Sequence, residues 1–186
     1  MNSEMRKLQV LLLFTALSIT SASAQKIKTG YDKTADFSKY KSFSLREPTK
    51  TPNRPILYAS VMGTITDDLK AKGLTQVDKG GDLLVVPTGG LGYDVASIPG
   101  VLSDSCTECK RPALDAQWYG YQAPPGSSGK PMGKGTLELD FVDHATNKVV
   151  WTGAVVQKLN PDKQDKSLQQ IAAAINKLLA EYPPKK

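Results

Sequence analysis

Residues 135–156 read GTLELDFVDHATNKVVWTGAVV, and the way this stretch alternates sets the expected fold. Leu137, Leu139 and Phe141 alternate with Thr136, Glu138 and Asp140, the period of a strand with one buried and one wet face. The turn-forming residues 144–148 lead into 149–156, a β-branched run carrying Trp151, so the two runs predict a β-hairpin. Trp151 reads as a core residue. Gly135 and Gly153 suit strand ends or bulges, and Asp143 and Asn147 suit the turn.

Working outward, Leu168, Ile171, Ile175, Leu178, Leu179 and Tyr182 form a helical stripe stopped by Pro183-Pro184. Upstream, residues 74–77 and 82–86 read as two strands joined by the turn at 78–81. Residues 56–72 place Leu57, Val61, Met62, Ile65 and Leu69 on one helical face, with Gly73 as the stop. Two further strands are predicted at 26–31 and 41–45. The order β-β-α-β-β-loop-β-β-α predicts a single α+β domain over residues 25–186: a largely antiparallel sheet of about six strands with two helices packed on one face.

The chain has 186 residues and a formal net charge of +6, with 40% hydrophobic and 23% charged residues. That composition is too apolar for general disorder, and two Cys cannot staple a chain this long, so a packed core must hold it. A single His argues against multi-His metal sites and His-based triads. Arg6 and Lys7 precede a short apolar run at 8–19, and Ala22 and Ala24 occupy the small-residue positions before a cut. Together these describe a secretory signal peptide over residues 1–24, cleaved between Ala24 and Gln25. The apolar run is too short for a membrane anchor. Gln25 stands where a lipoprotein needs Cys, so a soluble periplasmic or secreted protein without a lipid anchor is expected.

Five segments carry a resemblance in chain order: YDKTADFSKYKSFSL (31–45), LKAKGL (69–74), DLLVV (82–86), GTLELDFVDHATNKVVWTG (135–153) and LLAEYPP (178–184). They resemble the bacterial family of unknown function DUF4136 over nearly the whole chain beyond the signal peptide. The resemblance implies a small α+β domain and a location in the cell envelope. It implies no activity. Many relatives are lipoproteins, and this sequence departs from them in lacking the lipidation Cys.

Chemistry-bearing motifs are sparse. His144, in the hairpin turn, lacks the orienting partner and pocket of a general base. Residues 129–136 (GKPMGKGT) miss the phosphate-loop spacing, and Lys134 is followed by Gly135 rather than Ser or Thr. Glycines 89, 90 and 92 miss the dinucleotide pattern, because Val95 replaces its third Gly. Glu138 and Asp140 are neighbours on the expected wet face, as on any amphipathic strand. No catalytic residue, metal or cofactor is assigned, and no basic stripe points to nucleic acid.

The long interruption at 87–132 contains seven Gly and six Pro, and unstructured loops of such length are uncommon unless functional or disordered. It holds Tyr93, Trp118, Tyr119 and Tyr121, aromatics able to anchor an envelope partner, protein or glycan. Folding back onto a sheet edge is the other use of such residues. Cys106 and Cys109 lie in the same loop, and export to an oxidising compartment predicts a disulfide between them. Two function classes follow: a non-catalytic envelope binding or assembly module, acting through its sheet surface and this aromatic loop, or a thiol redox or metal protein using Cys106 and Cys109. Mass spectrometry of the protein from its native host should find Gln25 at the N-terminus, without lipid, and both Cys alkylated only after reduction. A chain retaining Met1, or a lipid-modified chain, would refute the targeting assignment.

Overall fold

A computed structural model describes residues 26–48, 51–52, 54–91, 118–119, 134–159 and 163–185. The hairpin is present as read: strand β6 (Lys134–Asp143) pairs antiparallel with β7 (Lys148–Lys158) across an exposed turn. Asn147 takes a left-handed conformation there, with φ of 53°, which Asn tolerates better than most residues. A bulge after Phe141 leaves Val150 as the extra residue. It sends Val150 into the main core and Val149 to the opposite face, beside Val142 and Val86.

The remaining strands are β1 (Lys26–Tyr31), β2 (Ser42–Leu45), β3 (Thr75–Gln76), β4 (Leu83–Leu91) and β5 (Trp118–Tyr119). They form one sheet in the order β1-β7-β6-β4-β2-β3, with β5 also paired to β4. The long pairings are antiparallel, whereas β2 pairs short and parallel with both β3 and β4. Helix α1 (Pro55–Ala71) supplies the crossover that the parallel β2–β4 pair requires. Residues 74–77 and 82–86 are therefore not neighbouring strands across a turn, as expected from sequence, because β2 lies between them. Asp82 fastens this junction: its carboxylate accepts from the Lys41 and Ser42 N–H groups and from Ser42 Oγ, at 2.8–2.9 Å. These hydrogen bonds hold its pKa below the ordinary carboxylate value.

The expected start of the long loop is corrected. Residues 87–91 continue β4, and 118–119 form β5, so these parts of the stretch expected as a loop are strand; the rest of it lies outside the described residues. Pro87 is tolerated within β4 for a local reason. The Val85 carbonyl accepts from Arg46 N–H on the β2 side, so by alternation the missing donor of Pro87 faces that side too. There β2 has ended at Leu45, and β5 pairs only at Gly89 and Gly90.

Helix α1 buries Val61, Met62, Ile65 and Leu69, the stripe read from sequence. It ends in a Schellman motif: Gly73 N–H donates to Lys70 O and Leu74 N–H to Leu69 O. Gly73 has a φ of +87°, and Leu74 packs with Leu69 in the same core. Helix α2 (Gln164–Leu179) adds Ala174, Ile175, Leu178 and Leu179, with Tyr182 just beyond its end. Both helices pack with the face of the sheet that carries Phe43, Val85, Leu139, Phe141 and Trp151.

Trp151 is fully buried, 4.9 Å from the Phe141 ring and 5.5 Å from that of Tyr182. Its indole lies over Gly153. A methyl group at 153 would press on the indole and approach Leu178 Cδ1 to 2.8 Å. Overpacking of this kind costs about 1–3 kcal/mol. Gly63 in α1 is exposed and has open space around it. Gly63→Ala should therefore stabilise by about 0.5–1 kcal/mol, while Gly153→Ala destabilises. Urea midpoints of the two variants should move in opposite directions. Shifts of equal sign would contradict the packing described.

Candidate functional site

The sheet and helices meet closely at one end and part at the other. At the parting end, Gly90 of β4, Gly135 and Leu137 of β6 and Val155 and Gln157 of β7 form a floor. Leu57 and Val61 of α1 and Ile171, Ala174 and Ile175 of α2 form the walls. The resulting cleft is open to solvent at its mouth. It is built from small residues on long elements. Gly135 pairs with Gln157 on the helix-facing side and projects no side chain into the gap, whereas Gly90, paired with Thr136, contributes backbone only. Ala174 likewise presents only a methyl from α2.

The lining is overwhelmingly alkyl. Its polar members are Arg54, Thr136 and Gln157. Gln157 is buried, and its amide nitrogen donates to the Lys158 carbonyl at 2.8 Å. Arg54 is exposed, sits at the N-cap of α1 and makes no side-chain capping bond. The first turn of α1 carries no acidic residue to offset the helix dipole. Among the described residues, the cleft thus offers an apolar interior with the Arg54 guanidinium in its lining. No carboxylate, thiol or imidazole of the described residues lines it.

A second polar constellation sits at the opposite end, around Asp143. Lys39 Nζ and Tyr40 OH donate to its Oδ2 at 2.7 and 2.8 Å, and Thr146 N–H donates to Oδ1 at 3.0 Å. Burial pushes the Asp143 carboxyl up, but these three bonds and the Lys39 charge outweigh it and hold the pKa at about 2. Burial and the bond to Asp143 raise the Tyr40 hydroxyl well above its ordinary value. Every donor in the group is committed to tying residues 39–40 to the hairpin turn, which makes it an anchor for the fold. His144 is exposed in that turn, and its backbone N–H donates to Asp82 O.

The expected wet face of β6 is corrected. Glu138 and Asp140 are only 3% and 4% exposed, and Thr136, Thr88 and Thr152 on the same face are buried with them. Thr152 Oγ1 lies 3.5 Å from Glu138 Oε1. Among the described residues, no three His, Cys, Asp or Glu side chains gather as a metal site would require. No helix among them is long and apolar enough to cross a membrane.

Of the site residues read from sequence, Trp118 and Tyr119 have their backbone in β5, paired with Gly89 and Gly90. Tyr119 is thereby brought beside a glycine that lines the cleft. Ala24, Gln25, Tyr93, Cys106, Cys109 and Tyr121 lie outside the described residues. The cleft itself was missed, and its one sequence signal is weak: an Arg directly before a Pro-led amphipathic helix.

Residues 27–184 match the domain of unknown function DUF4136. No curated protein matches the chain. Among solved structures, the chain is similar to a PDZ domain protein from Parabacteroides distasonis, with 16% identity and a TM-score of 0.54. That match covers 87% of this chain but 37% of the other, so this chain spans little more than a third of that protein's length. It is also similar to PelC from Paraburkholderia phytofirmans, solved as a dodecamer, with 11% identity and a TM-score of 0.50 over 87% of this chain and 99% of PelC. At these identities the likeness is one of fold.

The Asp143 anchor has a pH signature. Its carboxyl is held at about 2 against an ordinary 3.8, so its contribution is complete above about pH 4 and is lost as pH falls toward 2. The shift corresponds to on the order of 2 kcal/mol, reduced by screening because Lys39 is half exposed. Asp143→Asn should cost about 1–2 kcal/mol at neutral pH and flatten the loss of stability between pH 4 and 2. Parallel pH profiles for the two proteins in urea titrations would rule the anchor out.

Proposed function

The chain belongs to the DUF4136 family, and from that premise we propose that it is a non-catalytic, exported envelope protein, a binding module that accommodates an apolar group in the cleft between its helices and sheet. Cleavage after Ala24 would release it as a soluble periplasmic or secreted protein, with a Cys106–Cys109 disulfide in the segment that follows β4. The observation that carries the reading is the lining itself. Alkyl walls with few polar groups are the usual make-up of a ligand pocket.

The glycine at 135 supports the same reading. A sheet and helices that needed only to cover each other would place larger side chains at Gly135 and Ala174. The test is dye binding to the purified mature protein. Anilinonaphthalene sulfonate should fluoresce on binding, and Ile171→Trp, which fills the cleft from a half-buried wall position, should weaken that binding at least about tenfold. The thermal melt of the variant should stay close to that of the wild type. Unchanged dye affinity in a folded Ile171→Trp protein would refute the cleft as the binding site.

A further inference from the structure

The cleft also indicates what kind of ligand it takes, an inference that rests on the binding-module reading above. We propose that it holds the hydrocarbon chain of an anionic single-chain amphiphile, with the acidic head at Arg54.

Three observations converge. The interior is alkyl, and one of its two buried polar side chains, Gln157, is already bonded to a backbone carbonyl, which suits a chain rather than a polar ring. Arg54 is the charged member of the lining, and a guanidinium has only donors, so it favours a carboxylate or phosphate and repels an ammonium. Arg54, Leu57 and Val61 bring the start of α1, with its positive dipole end, to the cleft.

A further observation concerns the mouth. Ile56 is 68% exposed, the large hydrophobic left to solvent among the described residues. It lies between Arg54 and Leu57, both in the cleft lining. Apolar surface therefore continues outward past the charge. An exposed apolar side chain beside a cationic one is what a lipid-facing entrance needs, since it can rest on acyl chains while the cation meets the acidic head groups. The chain's net charge of +6 favours the same surfaces.

Calorimetric titration of the mature protein with four ligands tests this: dodecanoate, dodecyl phosphate, dodecanol and dodecyltrimethylammonium, each below its aggregation concentration. Both anions should bind more tightly than the alcohol, by about fivefold for an exposed ion pair at low salt, and the cation should bind weakest. Added salt should erase that difference. Arg54→Gln should bring the anions down to the affinity of the alcohol and leave the alcohol unchanged. Across octanoate, decanoate and dodecanoate, affinity should rise about fourfold per methylene. Preference for one anion over the other would separate a fatty acid from a phosphate-headed lipid.

Equal affinities for all four ligands, with the chain-length series and the Ile171→Trp effect intact, would overturn the anionic head while the cleft reading stood. A flat chain-length series with unaltered binding to Ile171→Trp would overturn both.

Discussion

The structure depends on one close approach. Trp151 lays its indole across Gly153, and Leu178 of α2 presses onto the same spot. Because side chains on a strand alternate, residues 151 and 153 share a face, and only the absence of a side chain at 153 lets a ring lie flat there. The indole nitrogen is buried with no acceptor among the described residues. Its ring volume therefore outweighs its polarity at this position. Phe141 and Tyr182 complete the cluster, with ring centroids 4.4 Å apart, and Phe37 extends it to Tyr31 and Tyr40. Sheet, α2 and the N-terminal segment are thus joined through one set of aromatic contacts.

Charge is used at the same end to set direction. The Asp143 carboxylate is nearly buried, and it would be costly there without its three donors. Satisfied, it ties Lys39 and Tyr40 to the hairpin turn, so the segment between β1 and β2 cannot slide along the sheet. Asp82 performs a similar task in the open, fixing the start of β2 to the start of β4 through bonds to two backbone N–H groups. One anchor holds the antiparallel half of the sheet and the other the parallel half.

How much of this was legible in the sequence depended on whether the pattern was local. Strict alternation at 135–143 and the stripes of α1 and α2 report on a single element, and they were read with the right type and nearly the right ends. Pairing partners are not local. Nothing in residues 74–86 shows that β2 will come between β3 and β4, because that depends on the crossover through α1. Pro87, Gly89 and Gly90 look like loop residues, and they sit in β4 only because β2 stops short of them. Glu138 and Asp140 alternate as wet-face residues should, yet their face is buried. Alternation separates two faces without saying which of them meets water.

The cleft was illegible for a deeper reason, since it is made by what the side chains fail to fill. Helix and sheet layers are held apart by whatever lies between them, and at the hairpin end that is Trp151, Phe141 and Tyr182. Toward the other end the same strands carry Val155, Leu137 and finally Gly135, while α2 offers Ala174. Aromatic rings at one end set a spacing that aliphatic and glycine positions at the other cannot span. The tight contact at Gly153 and the open cleft then lie at the two ends of a gradient in side-chain size along β6, from Phe141 through Leu139 and Leu137 to Gly135. A sequence lists those sizes in order, but only the register of Phe141 against Trp151 places the two largest rings side by side.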